Sequence, residues 1–246
     1  MKAIILAAGY ATRLYPLTKN KSKPLLPVRD KPIIDYIIDR IKGIADLDKI
    51  YVVTNNKFYN DYVKWSKESN HSKEIEIIND KTIEDETKLG AIGDINYVLE
   101  SQKIDDDVLV IAGDNLFNFD IDSFIEKSYN VKPSASMGLY DIGDIGMAHL
   151  YGIVAIDGDN LVVEFQEKPQ EPKSTLAAVG VYFLPKEIAR LIPQYLNEGN
   201  SPDQPGHFMS WLSAKNELYA FKLAGDWYDI GSIESYNKAN ESYKED

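Results

Sequence analysis

The 246-residue sequence contains no cysteine, which excludes disulfides, thiolate metal sites and cysteine nucleophiles together. It also lacks two familiar phosphate-binding signatures. No two of its 15 glycines stand two residues apart, so a GxGxxG fingerprint cannot occur, and no glycine precedes a lysine, so an ordinary P-loop is absent. Only three histidines are present, His71, His149 and His207, without HExxH spacing. Each reads as a surface or loop histidine, and a zinc site is not expected. Basic residues are outnumbered, 27 against 39 acidic, for a net charge of −12. Such a chain repels a nucleic-acid backbone, so no nucleic-acid partner is expected. A nucleotide ligand would need specific cations and a metal to offset that repulsion. No apolar run approaches the roughly 20 residues of a membrane span, and the apolar stretch after Lys2 stops at Gly9, short of a signal peptide. No membrane partner and a cytoplasmic location are the expectations.

What is present reads as an α/β protein. "AIILAA", "KIYVVTN", "IEIIN" and "DDDVLVIAGDN" are short Ile- and Val-rich runs, the pattern of strands buried on both faces. Between the first two, Ile33, Ile34, Ile37, Ile38, Ile41 and Ile44 recur at helical spacing, and Pro32 suits the first helical turn. "KFYNDYVKWSKES" and "LGAIGDINYVLESQ" read as further helices. Strands and helices alternate through the first half, which predicts a mainly parallel, doubly wound, Rossmann-like sheet. The second half is richer in strands, with Asp157-Gly158-Asp159-Asn160 as a turn between two of them. Helices are expected near "KEIARLIPQYL", "GHFMSWLSAK" and "SIESYNKANESYKE", the last capped by Ser232. One mixed α/β unit over 1–246 with a β-rich second lobe is the expected architecture.

The chemistry begins in "AAGYATRLYP". A strand ending in Ala7-Ala8-Gly9 leaves backbone amides uncovered for a ligand, and Arg13 offers a fork of donors that matches phosphate oxygens. Lys23 follows in "SKPLLP", held between serine and proline as a compact point charge. Either cation alone reads as an ordinary solvated side chain. The ordered set, at the carboxyl end of a parallel strand, reads as a phosphate clamp. Asp114 in "VLVIAGDN" ends a second buried strand, and a carboxylate beside phosphates is a natural magnesium ligand. Asp229 in "WYDIGS" is a second candidate, and both have a plain alternative as turn or cap acids. A phosphate monoester is already close to doubly charged at pH 7, with a second pKa of about 6. As a nucleophile it requires no general base, only cations that hold it in line with an α-phosphate.

"LAAGYATRLYPLT…SKPLLPV", "GDN", "YGIV…FQEKP" and "WYDIGS", in this order, resemble the sugar-1-phosphate nucleotidylyltransferases. The similarity runs over nearly the whole chain, and "GDNLF" looks most like the short glucose-1-phosphate thymidylyltransferase type. The resemblance implies a magnesium-dependent transfer of a nucleotidyl group from dTTP or UTP to glucose 1-phosphate, releasing pyrophosphate. Alternatives are mannose 1-phosphate with GTP and phosphocholine with CTP. It implies a nucleotide-binding half to about residue 130 and a sugar-phosphate-binding half after it. Leu6, Ala7, Ala8, Gly9, Tyr10, Ala11 and Thr12 would wrap the nucleotide, and Gly90 would approach the base. Arg13 and Lys23 would be catalytic, and Asp114 and Asp229 would hold Mg2+. Gly152, Glu167, Lys168, Val179 and Trp227 would bind the sugar phosphate. A homo-oligomer is compatible with the resemblance, and no acyltransferase repeat is expected after the last helix.

The sequence departs from that pattern in three places. Tyr10-Ala11 partly replaces an expected small pair and would narrow the first loop. "NDKTIEDETKLG" lacks the proline–glycine–leucine pattern before the base glycine and substitutes Glu84, Asp85 and Glu86. "GDIGMAHLYG" reads as a lid or a hairpin loop. Two rivals use the same fold: a metal-dependent glycosyltransferase, with Asp120-Ile121-Asp122 or Asp157-Gly158-Asp159 as its DxD motif, and a non-catalytic nucleotide sensor. The early Arg13 and Lys23 motifs have no role in the first, and two retained carboxylates are superfluous in the second.

Overall fold

The computed structural model describes residues 1–69, 71 and 75–244. In chain order the elements begin with β1 (Lys2–Leu6), β2 (Pro27–Val28), β3 (Lys31–Pro32), α1 (Ile33–Ile41), β4 (Lys49–Thr54), α2 (Tyr59–Glu68) and β5 (Ile75–Asn79). They continue with α3 (Ala91–Ser101), β6 (Val108–Ala112), β7 (Asn115–Phe117), α4 (Ile121–Asn130) and β8 (Ala135–Asp141). The remainder comprises β9 (Gly152–Ile156), β10 (Val162–Glu167), β11 (Leu176–Leu184), α5 (Lys186–Ala189), α6 (Ile192–Asn197), α7 (Pro205–Ser213), β12 (Leu218–Lys222), β13 (Trp227–Asp229) and α8 (Ile233–Ser242).

Among the described residues, nine strands form one mixed sheet. Its first half is parallel, in the order β5-β4-β1-β6, as the βαβ alternation predicts. Strand β11 then runs antiparallel to β6 and joins β8, β9 and, through them, β10 and β12. Successive residues of β1 feed opposite layers, because side chains alternate across a pleated strand. Ile4 joins Val53 and Val110 in one core, whereas Ala3 and Ile5 join Val52 and Ile111 in the other. Helices α1, α2 and α4 cover the second layer through residues such as Ile37, Tyr62 and Phe124. Helix α3, with α6 and α7, covers the first through Ile95, Tyr195 and Phe208.

Local punctuation follows the chain's chemistry, with two adjustments. Pro32 is the residue before α1 rather than within its first turn. The stretch "KEIARLIPQYL" divides into α5 and α6, with Pro193 in the first turn of the second, where its missing N–H costs no helical bond. Ser232 caps α8 in a reciprocal arrangement with Ser235. The segment before β9 contains a 3-10 helix, Ile145–Leu150, and β8 and β9 do not pair with each other, so it is not a hairpin loop.

A buried acid pair lies where β5 ends and α3 begins. Burial raises the Asp80 carboxyl, against the Thr82 amide at 2.7 Å and hydroxyl at 2.8 Å that donate to its ionised form. Burial, with Asp80 beside it, pushes Asp94 up to about 8. At pH 7 the pair therefore carries a proton that the unfolded chain has released, since a free carboxyl titrates near 4. The native state binds more protons than the unfolded state between those values, so this pair makes stability fall as pH rises from about 4 to about 8. Asp94→Asn keeps a donor facing Asp80 and removes the proton. Urea unfolding of this variant is expected to be flatter across pH 5–8 than wild type, by up to about 1.4 kcal/mol per pH unit. Parallel wild-type and variant profiles would contradict the assignment.

Candidate active site

The carboxyl ends of β1 and β6 lie side by side because the strands pair in register, Leu6 opposite Ala112. Beyond them, the Gly113 amide donates to the Leu6 carbonyl at 2.8 Å. A Cβ at Gly113 would sit 2.6 Å from that carbonyl oxygen, so the two exit loops touch only because this residue has no side chain. Open α/β sheets present their ligand crevice at this edge.

The first loop is held from below. The Ala7 amide donates to the Val53 carbonyl at 2.9 Å, and buried Asn55 donates to the Ala8 carbonyl at 2.8 Å. Gly9 is exposed and a Cβ there would meet nothing, so internal packing does not call for glycine at this position. Ala11 takes the left-handed conformation, φ 48°, and its carbonyl accepts from the Thr18 hydroxyl at 2.7 Å. The following turn, Thr12–Leu14, buries Leu14 and leaves Arg13 exposed. Among the described residues, no protein group hydrogen-bonds or ion-pairs with the Arg13 guanidinium. Tyr10 is only 6% exposed and burial, with Asp80 nearby, pushes its phenol up, so the ring's bulk is taken up largely by the interior.

Lys23 opens a 3-10 turn with Pro24. Neighbouring Ser22 is tied to the Tyr62 hydroxyl at 2.9 Å, which fixes where the lysine starts. Its stem is buried and its Nζ lies 2.9 Å from Asp114 Oδ2. Asp229 approaches from the other direction. Strand β13 pairs antiparallel with β7, setting Asp229 opposite Asn115, the residue after Asp114. Burial and then repulsion from Asp114 raise the Asp229 carboxyl above its ordinary value, against Lys23, Lys168 and Arg13. Two carboxylates that repel each other beside a cluster of cations and uncovered amides fit a hard divalent ion shared with phosphate oxygens. Among the described residues no group of three or more His, Asp or Glu that could hold a metal ion lies together.

Asn115 was not singled out by sequence, and it organises the site's wall. It is buried; its amide nitrogen donates to the Val179 carbonyl and its oxygen accepts from Trp227 Nε1 at 3.0 Å. Gly180 follows with φ +67°, and a Cβ there would fall 2.7 Å from the Asn115 nitrogen. Trp227 packs on Tyr151 and Tyr140, with ring centroids 5.2 and 5.7 Å apart. Opposite, Gly152 lies against Phe165 and Glu167, where a Cβ would be 2.9 Å from the Phe165 ring. Burial raises the Glu167 carboxyl, opposed by Lys168 and His207. Lys168 takes a left-handed φ of 48°, with its ammonium 3.8 Å from Glu167.

Gly90 precedes α3 with φ +78°, and a Cβ on it would lie 2.5 Å from the Pro202 carbonyl oxygen. Strain and clash coincide here. Gly90→Ala is expected to destabilise the fold by about 2 kcal/mol, read by urea unfolding, and a loss under half that would show that the Pro202 contact yields.

All seventeen residues singled out from the sequence line a single open cleft of about 590 Å³, from Leu6 through Arg13, Lys23 and Gly90 to Asp114, Gly152, Glu167, Lys168, Val179, Trp227 and Asp229. Neither DxD candidate lines it. Asp120 caps α4 by accepting from the Ser123 amide, and Asp157 accepts from Asp159 and Leu161 in its turn. Among the histidines, His149 faces the Gly146 carbonyl and His71 faces Asp39 at 3.2 Å. His207 departs from expectation: it lies inside α7, with a buried Nδ1 that has no partner.

The ordered motifs, gathered at one sheet edge, are matched by likeness over the whole chain. Residues 2–246 match the family described as Nucleotidyl transferase. The chain belongs to that family. It is 32% identical over 233 residues to the "Bifunctional protein GlmU" of Methanocaldococcus jannaschii, covering 94% of this chain and 51% of that protein. It is 30% identical over 244 residues to the "Putative mannose-1-phosphate guanyltransferase" of Sulfolobus acidocaldarius, covering 98% of this chain and 62% of the relative. The chain thus spans about half to three-fifths of these relatives' length. A Bacillus anthracis structure titled "Putative Glucose-1-Phosphate Thymidylyltransferase" superposes with TM-score 0.81 at 28% identity, covering 98% of this chain and 94% of that one. A UDP-glucose pyrophosphorylase complexed with UDP-glucose shares the fold, with TM-score 0.80 at 21% identity and coverage of 98% and 97%. The α/β Rossmann-like class expected from the alternation of strands and helices is thereby met. No described helix of this nucleotidyl transferase family member is long and apolar enough to cross a membrane.

Proposed function

We propose that the chain transfers a nucleotidyl group from a nucleoside triphosphate to a sugar 1-phosphate, forming a nucleoside-diphosphate sugar and pyrophosphate. The observation that carries this reading is the convergence of an uncommitted Arg13, a Lys23–Asp114 pair and a half-buried Asp229 beside an open backbone loop. The loop from Leu6 to Thr12 holds the nucleotide. Arg13 grips the β- and γ-phosphates and carries the charge that builds on departing pyrophosphate. The acceptor's phosphate oxygen attacks the α-phosphorus, the bond to the bridging oxygen of pyrophosphate breaks, and that oxygen leaves with the electron pair. No side chain removes a proton from the nucleophile, consistent with a cleft that presents cations and carboxylates in place of a catalytic dyad.

Asp114 and Asp229 would hold Mg2+, which when bound supplies charge neutralisation at the phosphates. Lys23 orients Asp114 and adds positive charge next to the reacting phosphate. Lys168 meets the acceptor's phosphate, and Glu167 and the Gly152 backbone meet its hydroxyls. Trp227 and Val179 form the apolar wall against the sugar ring.

The favoured pair is dTTP or UTP with glucose 1-phosphate, carried by the likeness of the first loop and "GDNLF" to the short thymidylyltransferase type. A second reading, GTP with mannose 1-phosphate, is favoured by Asp85, which lines the cleft near Gly90. A carboxylate can accept two donors at once, and guanine offers an adjacent N–H and NH2 pair. A pyrophosphate-release panel of nucleoside triphosphates against sugar 1-phosphates with Mg2+ separates them. Turnover led by dTTP or UTP supports the first pair, and GTP leading supports the second. Turnover only with CTP and phosphocholine would overturn both substrate assignments.

A further inference from the structure

Residues 202–206, which the sequence leaves as an unremarkable "PDQPG", touch both ends of the cleft. On the base side, the first free amides of α3 are satisfied by this segment. Ala91 donates to the Asp203 carbonyl at 3.1 Å and Ile92 to the Pro202 carbonyl at 2.8 Å. The side chains repeat the link, with Lys88 Nζ 3.0 Å from Asp203 Oδ1. Lys88 belongs to the stretch that delivers Gly90, and Gly90 packs on Pro202 and Asp203 so closely that no side chain fits.

One residue further, the segment reaches the acceptor side. The Gln204 amide lies between Glu167 and Lys168, and the orientation that satisfies both turns its nitrogen to Glu167 Oε1 at 2.5 Å and its oxygen to Lys168 Nζ at 3.2 Å. Gly206, in the first turn of α7, leaves no room for a Cβ between itself and Glu167 Oε2. The Glu167 carboxylate thus sits at a helix N-terminus, a position that favours negative charge. Glu167 and Lys168 stand only 3.8 Å apart and Lys168 is held in a left-handed conformation. Without the amide between them, the ammonium would be free to close on the carboxylate, and neither would point where an acceptor needs it.

We propose that residues 202–206 form a strap that couples the base end of the cleft to the acceptor end, with Gln204 as the positioning residue for Glu167 and Lys168. The proposal rests on the nucleotidyl-transfer reading above for what the two ends bind. The strap transmits order in both directions: a nucleotide that fixes the Lys88–Gly90 stretch fixes Asp203, and Asp203 is chain-adjacent to Gln204. Nucleotide binding therefore sharpens the acceptor site before the acceptor arrives, which is positive coupling between two distinct ligands.

The test combines steady-state kinetics with hydrogen exchange of the peptide spanning residues 202–210. Gln204→Leu is expected to raise the acceptor KM at least tenfold and to change the nucleotide KM less than twofold. Asp203→Ala is expected to raise both KM values at least threefold, and the swap Lys88→Asp with Asp203→Lys to bring the acceptor KM back within twofold of wild type. A general packing defect would not give that split or that recovery. In wild type, adding the triphosphate alone (UTP, dTTP and GTP tested separately) should slow exchange in residues 202–210, and Asp203→Ala should abolish the slowing. An acceptor KM within twofold of wild type in Gln204→Leu overturns the positioning role, and unchanged exchange with every triphosphate overturns the strap. If wild type releases no pyrophosphate with any pair, the nucleotidyl-transfer reading fails instead. The exchange arm still decides the strap.

Discussion

Asparagine at position 114 is expected to lower turnover by about 10²- to 10³-fold, because the site would hold Mg2+ less well and the metal's charge at the reacting phosphates would be lost. The side chain is nearly isosteric, so the turn after β6 and its contact with Leu6 should survive. What changes is charge. Lys23 loses its 2.9 Å partner, and Asp229 loses the neighbour whose charge raises its pKa. The Asp114 side chain is 43% exposed, so solvent screens the lost ion pair and its direct effect on stability is expected to stay under about 1 kcal/mol. Removing the Asp114–Asp229 repulsion acts in the opposite direction. Stability and turnover should therefore separate: near-wild-type urea unfolding with greatly reduced pyrophosphate release. A variant that unfolds early, or that retains more than a tenth of its turnover, would contradict this role.

Arg13→Ala is expected to be similarly damaging, by about 10²- to 10³-fold in kcat, for a different reason. Asp114 is already engaged with Lys23, whereas Arg13 is exposed and has no protein partner among the described residues. On the proposed reading the uncommitted guanidinium is the partner of the triphosphate, and its removal should leave folding untouched. Arg13→Lys sharpens the test. It keeps the charge but loses the planar fork that engages two phosphate oxygens together, so it should recover only part of the lost rate. Full activity in Arg13→Lys would reduce the role to simple charge, and full activity in Arg13→Ala would remove it.

The parts of the site that the sequence reveals are the local ones. "AIILAAG" is readable because an unbroken β-branched run predicts burial on both faces and the small residues at its end predict an uncovered turn. Asp114 follows by the same logic, since two parallel neighbours must end at one edge. Ser232 announces α8 by its cap. The parts that stay hidden are made by contacts across long stretches of chain. Asn115 joins Trp227 to Val179 over 112 and 64 residues, although its place in "GDN" marks the neighbourhood. Gln204 carries no local signal at all, because its role exists only where α7 meets β10. Asp94 is likewise an ordinary helix acid until the end of β5 brings Asp80 beside it. Pro193 offered a readable cue that "KEIARLIPQYL" divides, since a proline there starts a new helix more readily than it continues an old one.

Tyr10 shows where side-chain size alone misleads. A bulky residue in a phosphate loop reads as an obstruction, yet its ring turns inward and the loop's outer face is left to Gly9 and Ala11. The backbone around it remains an open cradle, closed below by Asn55 and at its far side by Thr18.

The proposed reaction is direct attack of an acceptor phosphate on the α-phosphorus within this cleft. The most direct measurement follows 31P spectra of the chain with Mg2+, dTTP or UTP and glucose 1-phosphate, for wild type and Asp114→Asn side by side. The expected result is pyrophosphate and nucleoside-diphosphate glucose appearing in equal amounts with wild type, and both nearly absent with the variant. Release of nucleoside diphosphate in place of pyrophosphate, or equal product formation by the variant, would contradict it.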